Sequence, residues 1–139
     1  MPQASKRTGG CQCGKIQLTV TGEPMVTVNC HCLVCQRLSG SGHLFILVYG
    51  ADNVMIDGEV AQVEYKADSG KMATRYFCPS CGSQLYGTSE QMPGTYGVNA
   101  ACLENTSAYR PKITAFAKRL QAWDRLAEGI PSFPAMPPM

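Results

Sequence analysis

Seven of the eight cysteines fall into three tight groups, and this clustering limits the possible folds more than any other feature. The groups read Cys11-Gln-Cys13-Gly, Cys30-His-Cys32-Leu-Val-Cys35 and Cys78-Pro-Ser-Cys81-Gly, and the eighth cysteine is Cys102. The first ten residues lack the apolar core of a secretory signal, so we expect a reducing, cytoplasmic location. Cysteines that stay reduced bind metals or react, and the pattern therefore predicts metal sites rather than disulfides.

The first and third groups predict one closed zinc site. Zinc binds thiolates at about 2.3 Å in a tetrahedron, so its sulfur ligands must lie within ~4 Å of each other. A C-x-x-C turn meets this requirement by curling around the metal, and a C-x-C pair meets it because residues i and i+2 share a face. Gly14 and Gly82 follow the groups and permit a positive φ. The predicted ligands of this structural site are Cys11, Cys13, Cys78 and Cys81. Because the site closes a long loop, we expect folding to depend on the metal.

The middle group predicts a different kind of site. Cys30, Cys32 and Cys35 are one ligand short of a tetrahedron, and three protein ligands plus an open position are typical of catalytic zinc. Three thiolates on Zn²⁺ carry a net negative charge. A fourth, exogenous thiol would therefore lose its proton on binding and remain nucleophilic. The group predicts a thiol substrate held as its thiolate.

Three alternatives compete at this middle group. Cys102 could complete a second site of four cysteines, His31 could supply the fourth ligand, or Cys32 and Cys35 could form a redox pair. The redox alternative is disfavoured because no βαβ pattern surrounds the pair, and Gln36 excludes a C-x-x-C-H haem site. Since residues alternate along an extended chain, we expect His31 to point away from its neighbours. Cys102 stays open as a ligand.

The remaining pattern predicts an all-β domain. The 139 residues include 14 glycines and 9 prolines, which interrupt long helices. Residues 15–20 alternate apolar with polar side chains, and residues 43–49 form a dense apolar run. Further predicted strands cover residues 60–66, 72–77, 84–86, 95–103 and 113–116. We expect a disordered tail over residues 1–7 and a single domain over residues 8–139. Helix propensity alone would add an amphipathic helix over residues 115–128.

Charge and hydropathy argue against several kinds of partner. Twelve basic and ten acidic residues give a net charge of +2, without a basic stripe, which argues against nucleic acid and anionic membranes. No apolar run approaches the ~20 residues of a membrane span. We therefore expect small-molecule partners, and the sequence leaves the oligomeric state open.

The cysteine motifs resemble those of the glutathione-dependent formaldehyde-activating family, also called the CENP-V/GFA family. The matching segments follow in order over nearly the whole domain: residues 11–16, 30–40, 77–85, 97–103 and 123–133. The resemblance implies a β-tent, an arrangement of several small coiled antiparallel sheets held by zinc, with short helical turns only. It also implies a strand over residues 113–116 running into an irregular tail, which replaces the helix prediction except for a short helix near residues 123–128.

The resemblance further implies two zinc ions per chain and a reaction. Cys11, Cys13, Cys78 and Cys81 fall on the family's structural zinc, and Cys30, Cys32 and Cys35 fall on its catalytic zinc. The implied enzyme is a carbon–sulfur lyase of the S-(hydroxymethyl)glutathione synthase type, in which a zinc-bound thiolate of glutathione attacks formaldehyde. Gln36 stands where the family carries a basic residue, so one anion contact is missing.

Glutathione has two carboxylates that need cationic partners. We expect Arg37 to bind the substrate with Trp123 as a wall, and the other candidate cations are Arg75, Lys118 and Arg119. A proton for the product alkoxide would come from water or from His43, Tyr49 or Ser39.

Three other functions stay open at this point. The protein could carry glutathione without turnover, or act as a lyase on another thiol or electrophile. It could also be a non-enzymatic zinc module that binds protein or nucleic acid, as the centromere-associated branch of the family suggests.

Overall fold

The computed structural model describes residues 5–137, and the protein is mainly β. The strands are β1 Lys6–Gly10, β2 Gln17–Thr21, β3 Val26–Cys30, β4 Leu44–Gly50, β5 Val54–Asp57, β6 Ala61–Lys66, β7 Met72–Phe77, β8 Gln84–Ser89, β9 Thr95–Asn99 and β10 Ile113–Ala115. One α-helix, α1, covers Leu33–Ser39, and 3₁₀ turns cover Ala51–Asn53, Ala100–Cys102 and Ala117–Arg119. Within these described residues, no helix has the length and apolar character needed to cross a membrane.

The strands form two sheets. β1, β2 and β5 make a three-stranded antiparallel sheet, and the other seven make a sheet in the order β10-β3-β4-β9-β8-β7-β6. Within the large sheet all pairs are antiparallel except β10 with β3, which run parallel.

Each face of the large sheet has its own hydrophobic core, because successive side chains of a strand point to opposite faces. On one face, Leu47 and Tyr49 of β4 join Leu18 and Val20 of the small sheet in a core that also contains Cys11 and Cys78. On the other face, Leu44 and Val48 pack in a second core. That second core contains Cys30, Cys32 and Cys35. The two cysteine clusters therefore belong to opposite faces of the same sheet.

The prediction of a mainly β protein with short helical elements is confirmed. The predicted strands over residues 15–20, 43–49, 60–66, 72–77, 84–86, 95–103 and 113–116 each overlap an observed strand, although β9 ends at Asn99 and a 3₁₀ turn follows it. Sequence reasoning missed β1, β3 and β5. β3 was missed although Val26, Val28 and Cys30 alternate with Thr27 and Asn29, whereas β1 ends in two glycines and carries no apolar pattern.

The segment after β10 tests two predictions: the helix expected from propensity and the irregular tail expected from the family resemblance. Phe116 adopts a left-handed backbone conformation with φ 57°, which a right-handed α-helix beginning at residue 115 could not include. The amides of Phe116 and Ala117 donate to the carbonyls of Ala135 and Phe133 near the end of the chain. These amides are therefore not available for the hydrogen bonds of a helix. The helix predicted over residues 115–128 by propensity is therefore wrong. The irregular tail is confirmed, and residues 123–128 contain no short helix.

The N-terminal boundary lies earlier than predicted. Lys6 and Arg7, which we assigned to a disordered tail, pair in β1 with Thr21 and Val20. Residues 1–4 of that tail lie outside the described residues, as do residues 138 and 139 of the predicted domain.

Candidate metal centres and active-site cavity

The first cysteine cluster brings together the β1–β2 and β7–β8 connections. The Sγ atoms of Cys11 and Cys13 lie 3.5 Å apart, and those of Cys13 and Cys78 lie 3.7 Å apart. With Cys81, all four sulfurs lie within 4.8 Å of one another. Bonds of about 2.3 Å in a tetrahedron would separate sulfurs by ~3.8 Å. The four thiols therefore fit a metal ion such as zinc.

Backbone amides surround the sulfurs of this cluster. The amide of Ile16 donates to Cys11 Sγ at 3.2 Å, and those of Ser80 and Cys81 donate to Cys78 Sγ at 3.4 and 3.5 Å. Hydrogen bonds from the hydroxyl and amide of Ser83 lower the pKa of Cys81 to about 5. Donors around sulfur favour the thiolate, which is the form that binds metal.

The predicted glycine turns are present beside this cluster. Gly14 and Gly82 have φ values of 83° and 80°, a region that side chains disfavour. The amide of Gly82 donates to the Cys78 carbonyl at 2.8 Å, and that of Gly14 to the Cys11 carbonyl at 3.1 Å. Both turns curl the chain around the sulfurs.

The second cluster lies where β3 meets α1. Cys30 is the last residue of β3, Cys32 caps the helix, and Cys35 lies in its first turn. Cys32 Sγ accepts a hydrogen bond from the Cys35 amide at 3.3 Å, which takes the place of a Ser or Asp cap. All three cysteines are buried, and their sulfurs lie within 4.8 Å of one another. Sequence reasoning missed the helix, although it identified the three residues that meet.

The pKa values of the three thiols in this cluster depend on one another. Hydrogen bonds from Cys30 and Cys35 lower the pKa of Cys32, whereas the contact with Cys32 raises the pKa of Cys30 and the contact with Cys30 raises that of Cys35. Ionisation of one thiol therefore disfavours ionisation of the other two. A divalent cation would replace the remaining protons, since metal binding requires deprotonated ligands.

Neither alternative fourth ligand joins this cluster. Cys102 Sγ donates to the Gln84 carbonyl at 2.9 Å, and burial raises the pKa of this thiol to about 11. The ring of His31 is fully buried beside His43 and Asp124 instead. Among residues 5–137, no fourth cysteine, histidine or carboxylate comes within 4.8 Å of all three sulfurs. The cluster, which we call the tripod, therefore offers three thiols to a metal ion.

A cavity of about 160 Å³ opens beside the tripod. Its floor is one face of the large sheet, made by alternate residues of four neighbouring strands: Ile46, Val48, Ala73, Arg75, Gly87, Ser89, Thr95 and Gly97. Tyr65, Met92 and Phe116 contribute to its walls. The lining is mainly apolar, with one buried cation.

That cation is Arg75, which is only 5% exposed. Its Nη2 donates to Asn99 Oδ1 at 2.7 Å, and Asn99 in turn donates to the Gln84 carbonyl at 2.9 Å. Within the described part of the chain, its buried Nε makes no hydrogen bond, and no carboxylate forms an ion pair with it. The cavity thus has an incompletely paired positive charge in its lining.

The predicted substrate contacts lie elsewhere. Arg37 of α1 and Trp123, which is 70% exposed, line a separate depression together with Gln121. Arg119 forms an ion pair with Asp68 at 3.5 Å, and Asp68 lines the tripod cavity. Of the four candidate cations, the structure brings Arg75 alone into the lining of that cavity.

The predicted proton donors are also away from the tripod cavity. Tyr49 is fully buried in the core on the opposite face, and the Ser39 hydroxyl donates to the His43 carbonyl at 3.0 Å. Tyr65 does line the cavity, and burial raises its pKa to about 12. No local motif marks Tyr65 in the sequence.

Gln36 has a structural role that its family position did not suggest. It is 8% exposed, and its Nε2 donates to the carbonyls of His31 at 2.8 Å and Arg119 at 2.9 Å. Its Oε1 accepts from Gln121 Nε2 at 2.8 Å. Gln36 therefore joins α1 to the irregular tail.

A third group of metal-binding residue types was not predicted as a site. His43 Nδ1 lies 2.8 Å from Asp124 Oδ2, and His31 Nδ1 lies 3.6 Å from the same oxygen. Burial lowers the pKa of His31, as does its neighbour His43, against the opposing effects of Asp124 and the Gly42 carbonyl. The hydrogen bond from His43 lowers the pKa of Asp124.

Comparison with known proteins identifies the fold and family. A family model described as "Glutathione-dependent formaldehyde-activating enzyme" matches residues 6–119. A crystal structure of a Rhodobacter sphaeroides protein superposes with a TM-score of 0.59 at 20% sequence identity, covering 91% of this chain and 99% of that one. At that identity the structural likeness supports the fold alone.

Proposed function

The chain belongs to the glutathione-dependent formaldehyde-activating enzyme family, and on that premise we propose that it is a carbon–sulfur lyase that condenses formaldehyde with glutathione. The product is S-(hydroxymethyl)glutathione. The observation that carries this proposal is the buried tripod of Cys30, Cys32 and Cys35 beside a cavity, three thiols without a fourth protein ligand within the described residues. Such a donor set leaves room for an exogenous thiol.

Two zinc ions per chain are part of the proposal. The four-cysteine cluster of Cys11, Cys13, Cys78 and Cys81 is the structural site, because its ligands complete a tetrahedron. The tripod is the catalytic site. Zinc bound there supplies an open position where a substrate thiol ionises and keeps its nucleophilicity.

The chain's own residues would orient the reactants and stabilise charge. The apolar walls of the cavity limit the access of bulk water to formaldehyde. The substrate sulfur then bonds to the carbonyl carbon, the carbonyl π electrons move to oxygen, and water supplies the proton that completes the hydroxymethyl group. Arg75 is the buried cation that would stabilise the developing oxyanion, because its charge lies in a site of low polarity.

The size of the cavity limits how glutathione could bind. About 160 Å³ is below the ~300–1,000 Å³ of ordinary small-molecule pockets. The thiol end of glutathione and formaldehyde fit such a space, whereas the two carboxylate-bearing ends would lie outside it. Substrate binding by Arg37 and Trp123 stays a prediction, and it requires that glutathione extends to their depression.

The small cavity also favours a second candidate function. A lyase acting on a smaller thiol would use the same tripod and Arg75 without contacts outside the cavity. Both candidates need free thiols, and all eight cysteines are unpaired. A reducing location such as the cytoplasm would keep them so.

The test is the rate of exchange between formaldehyde, thiol and adduct, measured by NMR with zinc-replete protein. We expect acceleration with wild-type protein, its loss in Cys32→Ser, and its retention in Cys102→Ser, which changes a cysteine outside both clusters. Parallel runs with glutathione and 2-mercaptoethanol separate the two candidates. No acceleration with either thiol would contradict both and leave a glutathione carrier or a binding module.

A further inference from the structure

His31, His43 and Asp124 form a compact group outside both cysteine clusters. One nitrogen or oxygen from each lies within 4.8 Å of the others. The two histidine rings are 4.8 Å apart between centroids and tilted by 32°. Ligands bound at ~2.0–2.2 Å to one ion lie roughly 2.9–3.5 Å apart. The observed separations of 2.8 and 3.6 Å from Asp124 Oδ2 to the histidine nitrogens bracket that range.

The His31 ring is the second observation. It is fully buried, and within the described residues neither Nδ1 nor Nε2 makes a well-aligned hydrogen bond, although the Gly42 carbonyl lies nearby. Buried polar atoms in folded proteins are nearly always paired, and an ion is one of the partners that explains an exception. The Nδ1 atom faces the same Asp124 oxygen that His43 contacts.

The backbone holds all three groups in place. The His31 amide donates to the Ala115 carbonyl at 3.0 Å, and the His43 carbonyl accepts from the Ser41 hydroxyl at 2.7 Å. The Asp124 amide donates to the Gln121 carbonyl at 3.0 Å. Gly42 makes room for the carboxylate, because a Cβ there would collide with Asp124. Ligands fixed in this way lose little freedom when they bind an ion.

We propose that His31, His43 and Asp124 bind a third metal ion, a divalent transition metal such as zinc or cobalt. Two imidazoles and one carboxylate suit these ions, whereas magnesium and calcium take oxygen ligands. The His43 and Asp124 side chains are 33% and 18% exposed, so the ion can enter and keep water in its remaining positions.

This site is separate from the tripod. His31 lies between Cys30 and Cys32 in the chain, yet its ring does not line the tripod cavity, and neither do His43 and Asp124. The ion would join three separate parts of the chain: the end of β3, the start of β4 and the tail around Asp124. It would therefore fasten the irregular tail to the large sheet.

The first test counts metal. Protein dialysed against zinc is analysed for bound metal in the wild type, in His43→Ala and Asp124→Asn, and in Asp52→Asn as an exposed control. We expect each site variant to bind one ion fewer than wild type and the control to match wild type. Equal metal content in all four proteins would overturn the proposal.

The second test needs no variant, so a folding defect cannot obscure it. Wild-type protein is titrated with ¹¹³Cd²⁺, whose chemical shift distinguishes sulfur ligands from nitrogen and oxygen ligands. We expect a resonance in the nitrogen and oxygen region, and its appearance should shift the ring ¹⁵N signals of both histidines, the only two in the chain. Thiolate-type resonances alone, with unshifted histidines, would refute the third site independently of any lyase activity.

Discussion

Arg75 and Gly87 are directly paired residues of β7 and β8, and the Arg75 guanidinium occupies the space where a Cβ of residue 87 would lie. A glycine at this position thus lets the arginine lie against the sheet in the lining of the tripod cavity. The position of this buried cation depends on the absence of a side chain in the neighbouring strand.

Gly87→Ala should therefore displace Arg75 and lower the proposed lyase activity by up to about a hundredfold. We expect a stability loss of only about 1 kcal/mol or less, because the displaced atoms end a flexible side chain and alanine suits a strand better than glycine. Exchange NMR and denaturant unfolding measure the two effects. Gly50→Ala is the matched control, since a Cβ there meets nothing within 4 Å. Equal activity of the two variants would contradict the packing argument.

Arg75→Met should reduce kcat/KM by about 10²–10³-fold, the usual cost of removing one donor to a developing oxyanion. Bound zinc should stay unchanged, because Arg75 is not a ligand. Arg37→Met is the comparison: it lies in the separate depression beside Trp123. If Arg37→Met instead loses the activity while Arg75→Met keeps it, the substrate contact predicted from sequence is right and the role of Arg75 is wrong.

The cysteine pairs that meet within each cluster could be predicted because their spacing is local, while the ligand roles stay predictions. Pairs such as Cys78 and Cys81 meet within one turn, so spacing alone identifies them. Strands with apolar alternation, such as β2, could be predicted for the same reason. The helix predicted from propensity after Ala115 is absent because the amides of Phe116 and Ala117 donate to carbonyls near the end of the chain. No local sequence pattern indicates these long-range hydrogen bonds.

The cavity and the third cluster could not be predicted from local patterns. Arg75 differs from the other three candidate cations because the pairing of strands distant in sequence places it in the lining of the cavity. His43 and Asp124 lie 81 positions apart, and their contact depends on the path of an irregular tail. Such positions follow from tertiary packing alone.

Gln36→Leu should destabilise the protein by about 2–4 kcal/mol, because it removes three hydrogen bonds and leaves the buried carbonyl of His31 and the partly buried carbonyl of Arg119 without this donor. Denaturant unfolding of zinc-replete protein measures this loss. The same change at Gln62, which is exposed on β6, should cost little. A loss below about 1 kcal/mol at Gln36 would show that water replaces its bonds to the tail.

We predict that the Cys102 thiol makes the protein less stable as the pH rises into the alkaline range. Burial raises the pKa of its thiol to about 11 in the folded state, whereas the pKa of an unfolded cysteine is about 8.5. The folded state thus keeps a proton that the unfolded state has lost. The stabilisation is complete below the unfolded pKa and is lost as pH rises toward the folded pKa.

Cys102→Ser removes this titration and keeps a hydroxyl that can donate to the Gln84 carbonyl, as the thiol does at 2.9 Å. Between about pH 8.5 and 11 we expect the wild type to lose about 1–3 kcal/mol more unfolding free energy than the variant. Other ionising groups are common to both proteins, so the difference between the two curves isolates this thiol. Parallel curves would mean that the Cys102 thiol ionises as readily in the folded protein as in the unfolded chain.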